Sequence, residues 1–195
     1  MRTTQWRVID IVIASVLGLA CGFIFVLWNS AGYAWFKVMD ALTPGLGGLT
    51  TGIWLIGGVV GGLVIRKPGA ALYVETFASI VSMLLGSQWA ISTIYSGLAQ
   101  GLGAELIFLL FVYKNFKLSA AMLAGAGAGV GAFILELFTS GNAALSLSFN
   151  IIYLVCLIIS GMILAGIVGF YLVQALAKTG ALDRFAVGRE LRGRV

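Results

Sequence analysis

The chain contains no histidine, only two cysteines and two prolines, and few charges: 10 % of its 195 residues are Asp, Glu, Lys or Arg. Soluble domains carry about 25 %. Each scarcity excludes something. Without histidine, and with Cys21 and Cys156 each alone inside an apolar run, neither a zinc site of ordinary ligand spacing nor a disulfide framework can be assembled. Twelve basic and seven acidic residues are too few to cover a globule in water, so most of the outside must face lipid. What the chain has instead is apolar surface, with 61 % hydrophobic residues and a mean hydropathy of +1.07. The composition is that of an integral membrane protein.

A helix crossing ~30 Å of hydrocarbon needs about 20 apolar residues. Six such runs occur, at about 8–28, 46–65, 69–86, 92–112, 118–138 and 150–177. A membrane barrel would alternate apolar and polar positions, whereas Ile107–Phe111 and Ile151–Ile159 are apolar all round. The expected fold is therefore all-α, a single six-helix transmembrane domain over residues 1–195 with a basic tail from about Lys178. Arg2 and Arg7 precede the first run, and Arg66 and Lys67 separate the second from the third. Lys114 and Lys117 separate the fourth from the fifth, and Lys178, Arg184, Arg189, Arg192 and Arg194 follow the sixth; Lys37 alone lies on the other side. The positive-inside rule then puts both termini in the cytoplasm and loops 29–45, 87–91 and 139–149 outside. The net charge of +5 is explained by this topology and calls for no nucleic acid. The first apolar run is longer than the usual ~7–15 residues of a secretory signal, and is read as an uncleaved span.

No engine is legible. The stretch from Gly61 to Pro68 lacks the phosphate-loop spacing and its Ser or Thr after Lys, and Gly125, Gly127, Gly129 and Gly131 alternate outside any GxGxxG register. An enzyme is not expected, nor a cofactor or metal. The glycines read as helix-packing surfaces, since lipid gives helices no hydrophobic reason to associate. Ala14, Gly18 and Gly22 form one small-residue stripe, and Gly161, Ala165 and Gly169 another; either could pack within the bundle or dock a partner.

Carboxylates at membrane depth are functional candidates. Glu75 and Glu105 share a depth of about 12–13 Å from the basic ends of their helices, and Glu136 lies near the far surface. Ser79, Ser82 and Gly86 follow Glu75 along one face, and Ser92, Ser96, Gln100 and Gly103 make a comparable face on the fourth helix. Glu105 lies about 140° round from Gln100 and faces elsewhere. Trp54, Gln100 and Ser79 fall at one depth, so an indole, an amide and a hydroxyl, with the Glu75 carboxylate below them, could converge on a pocket for a small planar, nitrogen-rich or cationic ligand. Tyr95, Asn150 and Tyr153 complete the expected wall, with Gln88 and Trp89 in the neighbouring loop. The 29–45 loop, carrying Tyr33 and Trp35, is expected to lie over the pocket as a lid or to anchor at the interface.

Several strings then become informative: Gly52-Ile53-Trp54, Ile65 to Leu72 leading to Glu75, Gln100 to Glu105, Ser160-Gly161, Leu164-Ala165-Gly166, and Gly180 to Glu190. From about the second helix to the tail, they resemble the substrate-binding (S) component of an energy-coupling factor vitamin transporter, of the YkoE-like family proposed to take up thiamin or its hydroxymethylpyrimidine precursor. The resemblance implies a transmembrane coupling subunit and a pair of cytoplasmic ATPases as partners in a prokaryotic membrane. It further implies docking through Ala14, Gly18 and Gly22, and uptake by toppling of the loaded bundle. It points to Trp54, Glu75, Gln100 and Glu105 as ligand contacts. The alternative is a stand-alone proton-coupled secondary transporter with Glu75 and Glu105 as its relay.

Overall fold

The computed structural model describes residues 5–193, and no strand occurs among them. Seven helices follow one another: α1 Val8–Leu42, α2 Leu46–Ile65, α3 Ala70–Leu84, α4 Ser92–Leu110, α5 Leu118–Thr139, α6 Leu147–Lys178 and the short α7 Ala186–Arg192. Five of them, α1, α2, α4, α5 and α6, are long and apolar enough to cross a membrane. The apolar α3 is shorter, with 15 residues, or ~22 Å at 1.5 Å per residue. The described basic residues expected on one side do gather at one end of the bundle, near the start of α1, the 66–69 and 111–117 turns and the tail; Arg2 and Arg194 lie outside the described residues.

The main departure from the expected layout is α1. It continues without a break through the segment expected to be a loop from 29 to 45, because nothing between Trp28 and Leu42 breaks a helix until Thr43, Pro44 and the left-handed Gly45 (φ +99°). Asp40 closes that end by accepting the Gly45 amide at 2.7 Å. Helix α6 likewise starts at Leu147, where Ser146 caps it by accepting from the Phe149 amide.

Two helices are irregular where they meet. The first ten residues of α2, Leu46–Leu55, form a 3₁₀ helix, and Gly161–Val168 of α6 form a π-helical stretch. Ser160 stitches them together, accepting from the Gly52 amide at 2.8 Å and donating to the Leu49 carbonyl at 2.7 Å. The second half of α2, Ile56–Ile65, is buried at every position and forms the centre of the bundle.

Packing in the basic half is set by backbone meeting backbone. A Cβ on Gly125 of α5 would overlap the Gly161 carbonyl of α6, and one on Gly103 of α4 would overlap the Gly127 carbonyl of α5. The stripe of Ala14, Gly18 and Gly22 is used in the same way, which corrects the expectation of a free docking surface. All three are buried; Gly18 faces Phe77 and Gly22 faces Val81 and Ala78, so α3 already occupies the stripe. The other stripe is internal as well, with Gly161, Ala165 and Gly169 buried.

A carboxylate that the sequence reading passed over, Asp10, ties the basic end together. It is fully buried and accepts from the Arg7 amide at 2.7 Å, from the Arg7 guanidinium at 2.8 Å and from the Lys67 ammonium at 2.5 Å. Lys67 also donates to the Gln5 carbonyl, and Trp6 to that of Pro68. The N-terminus of α1 is thereby fixed to the α2–α3 turn.

Lys67→Met leaves that carboxylate buried without its ammonium, and should destabilise the protein by about 3–5 kcal/mol. Lys67→Met with Asp10→Asn should recover much of the loss in detergent unfolding curves. Gly125→Val should lower the unfolding midpoint through a cost of about 1–3 kcal/mol, whereas Leu123→Val on the exposed face of the same helix should leave it nearly unchanged.

Candidate ligand-binding site

The half of the bundle away from the basic end does not close. α1, α2, α3, α4, α5 and α6 diverge around a cavity of about 510 Å³, within the range of small-ligand sites, roughly 300–1,000 Å³. Its position follows from side-chain size. Where α2 presents Gly57, Gly58, Gly61 and Gly62, Glu75, Ala104, Val74 and Phe108 fill the space; above Leu55 the facing residues are short and polar, and the helices carry bulk only at the rim.

The rim is aromatic. Trp54 and Trp89 meet edge to face at 5.6 Å, Trp89 and Tyr33 at 5.2 Å, and Phe36 and Tyr153 at 6.2 Å, while Phe149 stacks on Tyr153 at 5.7 Å. All six rings line the cavity. The Trp54 indole is held by its N–H, which donates to Asn29 Oδ1 at 2.9 Å; the Asn29 amide in turn donates to Ser82 Oγ at 3.2 Å. Faces fixed in this way suit a flat or cationic ligand.

Two carboxylates reach the wall, Glu136 and Asp40. Glu136 carries an Oε2 that is buried without any partner. A buried acceptor with no donor is costly to leave so, and a ligand N–H or cation would satisfy it. Ser79, Ser82, Ser96, Thr51 and Gln100 are among the other polar residues of the wall.

Of the residues expected to bind ligand, Trp54, Gln100, Ser79, Glu136 and Tyr153 come together in this wall, and so does Tyr33 of the expected lid. The others do not. Tyr95 projects outward from α4 and Trp35 from α1, both more than half exposed. Asn150 turns its amide onto the carbonyls of Asn142 and Ser146. Asn29, Phe36, Asp40 and Phe149 are wall residues that the sequence reading missed. Asn29, Tyr33, Phe36 and Asp40 recur at helical spacing on α1, a signal hidden when the segment is read as a loop.

The two carboxylates expected at the heart of the site lie outside the cavity wall. Glu75 has no exposed surface; its Oε2 accepts from the Gly58 amide at 2.5 Å and its Oε1 has no partner. It sits one turn of α3 deeper than Ser79. Glu105 caps α3, accepting from the amides of Gly69 at 2.7 Å, Ala71 at 2.9 Å and Leu72 at 3.3 Å, and from the Tyr113 hydroxyl at 2.6 Å. Burial, and then this bond to Glu105, push the Tyr113 phenol up from its ordinary value. The arrangement neutralises amides that Gly69 (φ +84°) turns toward α4. Glu105→Ala should therefore lower the unfolding midpoint, at a cost of about 1–3 kcal/mol, with ligand affinity of the folded fraction within twofold of the parent by calorimetric titration.

Comparison with known proteins agrees with this architecture. The family model for the permease component of the ABC-type cobalt transport system matches residues 9–131. The chain is 40 % identical over 190 residues to YkoE of Bacillus subtilis (strain 168), a protein whose name describes an HMP/thiamine permease, covering 96 % of this chain and 93 % of that one. A crystal structure of an S-component of an ECF transporter superposes with a TM-score of 0.83 at 36 % identity, covering 97 % of this chain and 95 % of that one. A helical bundle with an apolar exterior and one polar, aromatic-rimmed cavity thus belongs to the YkoE-like S components of energy-coupling factor transporters, and is a multi-pass protein of the cell membrane.

Proposed function

We propose that the chain is the substrate-binding subunit of an ATP-driven vitamin importer, not itself an enzyme, which captures thiamin or its hydroxymethylpyrimidine precursor outside the cell. A transmembrane coupling protein and a pair of cytoplasmic ATPases then complete its passage inward. The observation that carries this reading is the cavity, where seven aromatic side chains and the carboxylates of Glu136 and Asp40 bound one space. A thiazolium would lie against ring faces, and an aminopyrimidine would donate N–H groups to a carboxylate. A metal ion suits the site less well, because among the described residues no cluster of three His, Cys, Asp or Glu side chains could hold one.

In this proposal the basic end lies in the cytoplasm with both termini, and the cavity opens outward. Helix α3 is taken as the sixth span in this reading, with the basic 66–69 turn before it and the 85–91 loop, whose Trp89 lines the cavity, after it. A proton relay through Glu75 and Glu105 has less support, as Glu105 is committed to the amides of Gly69, Ala71 and Leu72 and to the Tyr113 hydroxyl.

Mass spectrometry of the small molecules that copurify with the chain should find thiamin or the pyrimidine. Saturable binding without ATP is expected, and Trp54→Ala should weaken it at least tenfold, ~1.4 kcal/mol, by tryptophan fluorescence or calorimetry. Uptake driven by a pH gradient in vesicles holding only this chain would overturn the proposal in favour of a secondary transporter.

A further inference from the structure

We infer that the cavity rejects phosphate esters of its ligand, and that Glu136 is the residue that sets this selectivity. The inference rests on the vitamin-capture reading and adds to it a charge requirement. Three observations support it. First, the described wall contains two carboxylates, Asp40 and Glu136, and no Lys or Arg. The one basic residue of that end, Lys37, is exposed and lies over the Tyr33 ring at 4.7 Å, outside the wall.

Second, the backbone amides that bind phosphate elsewhere are taken here. Helix N-termini at a cavity are ordinary anion sites, and α4 begins in the wall with Ser92, Thr93 and Ser96. The amides of Ser92, Thr93 and Ile94, however, donate to the carbonyls of Trp89, Ala90 and Ile91 at 3.0, 3.1 and 3.0 Å. At the start of α6 the Phe149 amide is capped by Ser146 and the Asn150 amide bonds the Ser146 carbonyl. The Leu145 amide donates to Asn142, and the Thr93 hydroxyl is paired with that of Ser87.

Third, the unmatched group in the wall is an acceptor. Glu136 Oε2 is buried and without a partner, so it asks for a donor and repels a phosphoryl oxygen. A ligand carrying one to two negative charges would bring them beside Glu136 and Asp40 in a site that offers no compensating cation.

Any esterified supply of the vitamin must first pass through a phosphoester hydrolase. Water adds to phosphorus, the ester P–O bond breaks, and the alcohol and inorganic phosphate are released; the free alcohol is what this subunit accepts.

The test titrates the purified full-length protein with thiamin, thiamin monophosphate and thiamin diphosphate. Thiamin is expected to bind at least 100-fold more tightly than either ester, ~2.8 kcal/mol at 1.4 kcal/mol per decade. Glu136→Gln should compress that ratio at least fivefold, and Asp40→Asn provides a second variant should the first not fold, with monodispersity on size exclusion as the criterion. Esters that bind within threefold of thiamin overturn the selectivity while leaving vitamin capture intact. An unchanged ratio in both folded variants overturns the role of the carboxylates. Absence of binding by thiamin and by hydroxymethylpyrimidine removes the capture reading and this inference with it.

Discussion

Close approach of helix backbones is the constraint on which the rest of the molecule depends. In lipid, apolar side chains gain little by leaving the bilayer for one another, so association relies on fit. Gly125 against Gly161, Gly103 against Gly127, and the glycines of α2 under Phe108 and Val74 provide that fit in the basic half. Because this half is filled to the backbone, the helices can part only at the other end. The cavity is the space they leave there, framed by side chains too short to fill it and by rings that stand around its mouth.

The buried carboxylates show how one residue type is put to different uses by its neighbours. Asp10 is matched by a guanidinium and an ammonium and serves as a fastening. Glu105 is matched by amides at a helix start and by a tyrosine, and serves as a cap. Glu75 faces a single amide in the tight layer beneath the cavity floor. Glu136 alone among the intramembrane glutamates reaches the cavity wall, with one oxygen unpaired. Depth in the membrane singles out all of them as costly; which one is available to a ligand is decided by donors brought from elsewhere in the chain.

The irregular helices fit the same picture. A 3₁₀ helix repeats every three residues, so Gly48, Thr51 and Trp54 fall in one column; Gly48 packs against Tyr153 and Cys156 while Thr51 and Trp54 reach the cavity. The Ser160 hydroxyl joins the neighbouring column, Leu49 and Gly52, to α6 at the start of its π-helical stretch.

By itself the sequence determined the helical membrane bundle, the gathering of basic charge at one end, the role of glycine in packing, and the convergence of Trp54, Ser79, Gln100, Glu136 and Tyr153, because hydropathy, charge and helical period are local quantities. It did not reveal that α1 runs on to Leu42, since amphipathic helix and interfacial loop share one composition, so Asn29, Phe36 and Asp40 were lost from the site with it. Nor did it distinguish a small-residue stripe that packs inward, as Ala14, Gly18 and Gly22 do on α3, from one left free for a partner. Only the tertiary structure decided that Glu105 is satisfied internally, that Glu75 is sealed beneath the cavity with one oxygen unpaired, and that Glu136 reaches the cavity wall. A carboxylate's role depends on which donors stand within ~3 Å of its oxygens, and several of those donors are distant along the chain, 17 positions for Gly58 on Glu75, 36 for Gly69 on Glu105 and 57 for Lys67 on Asp10.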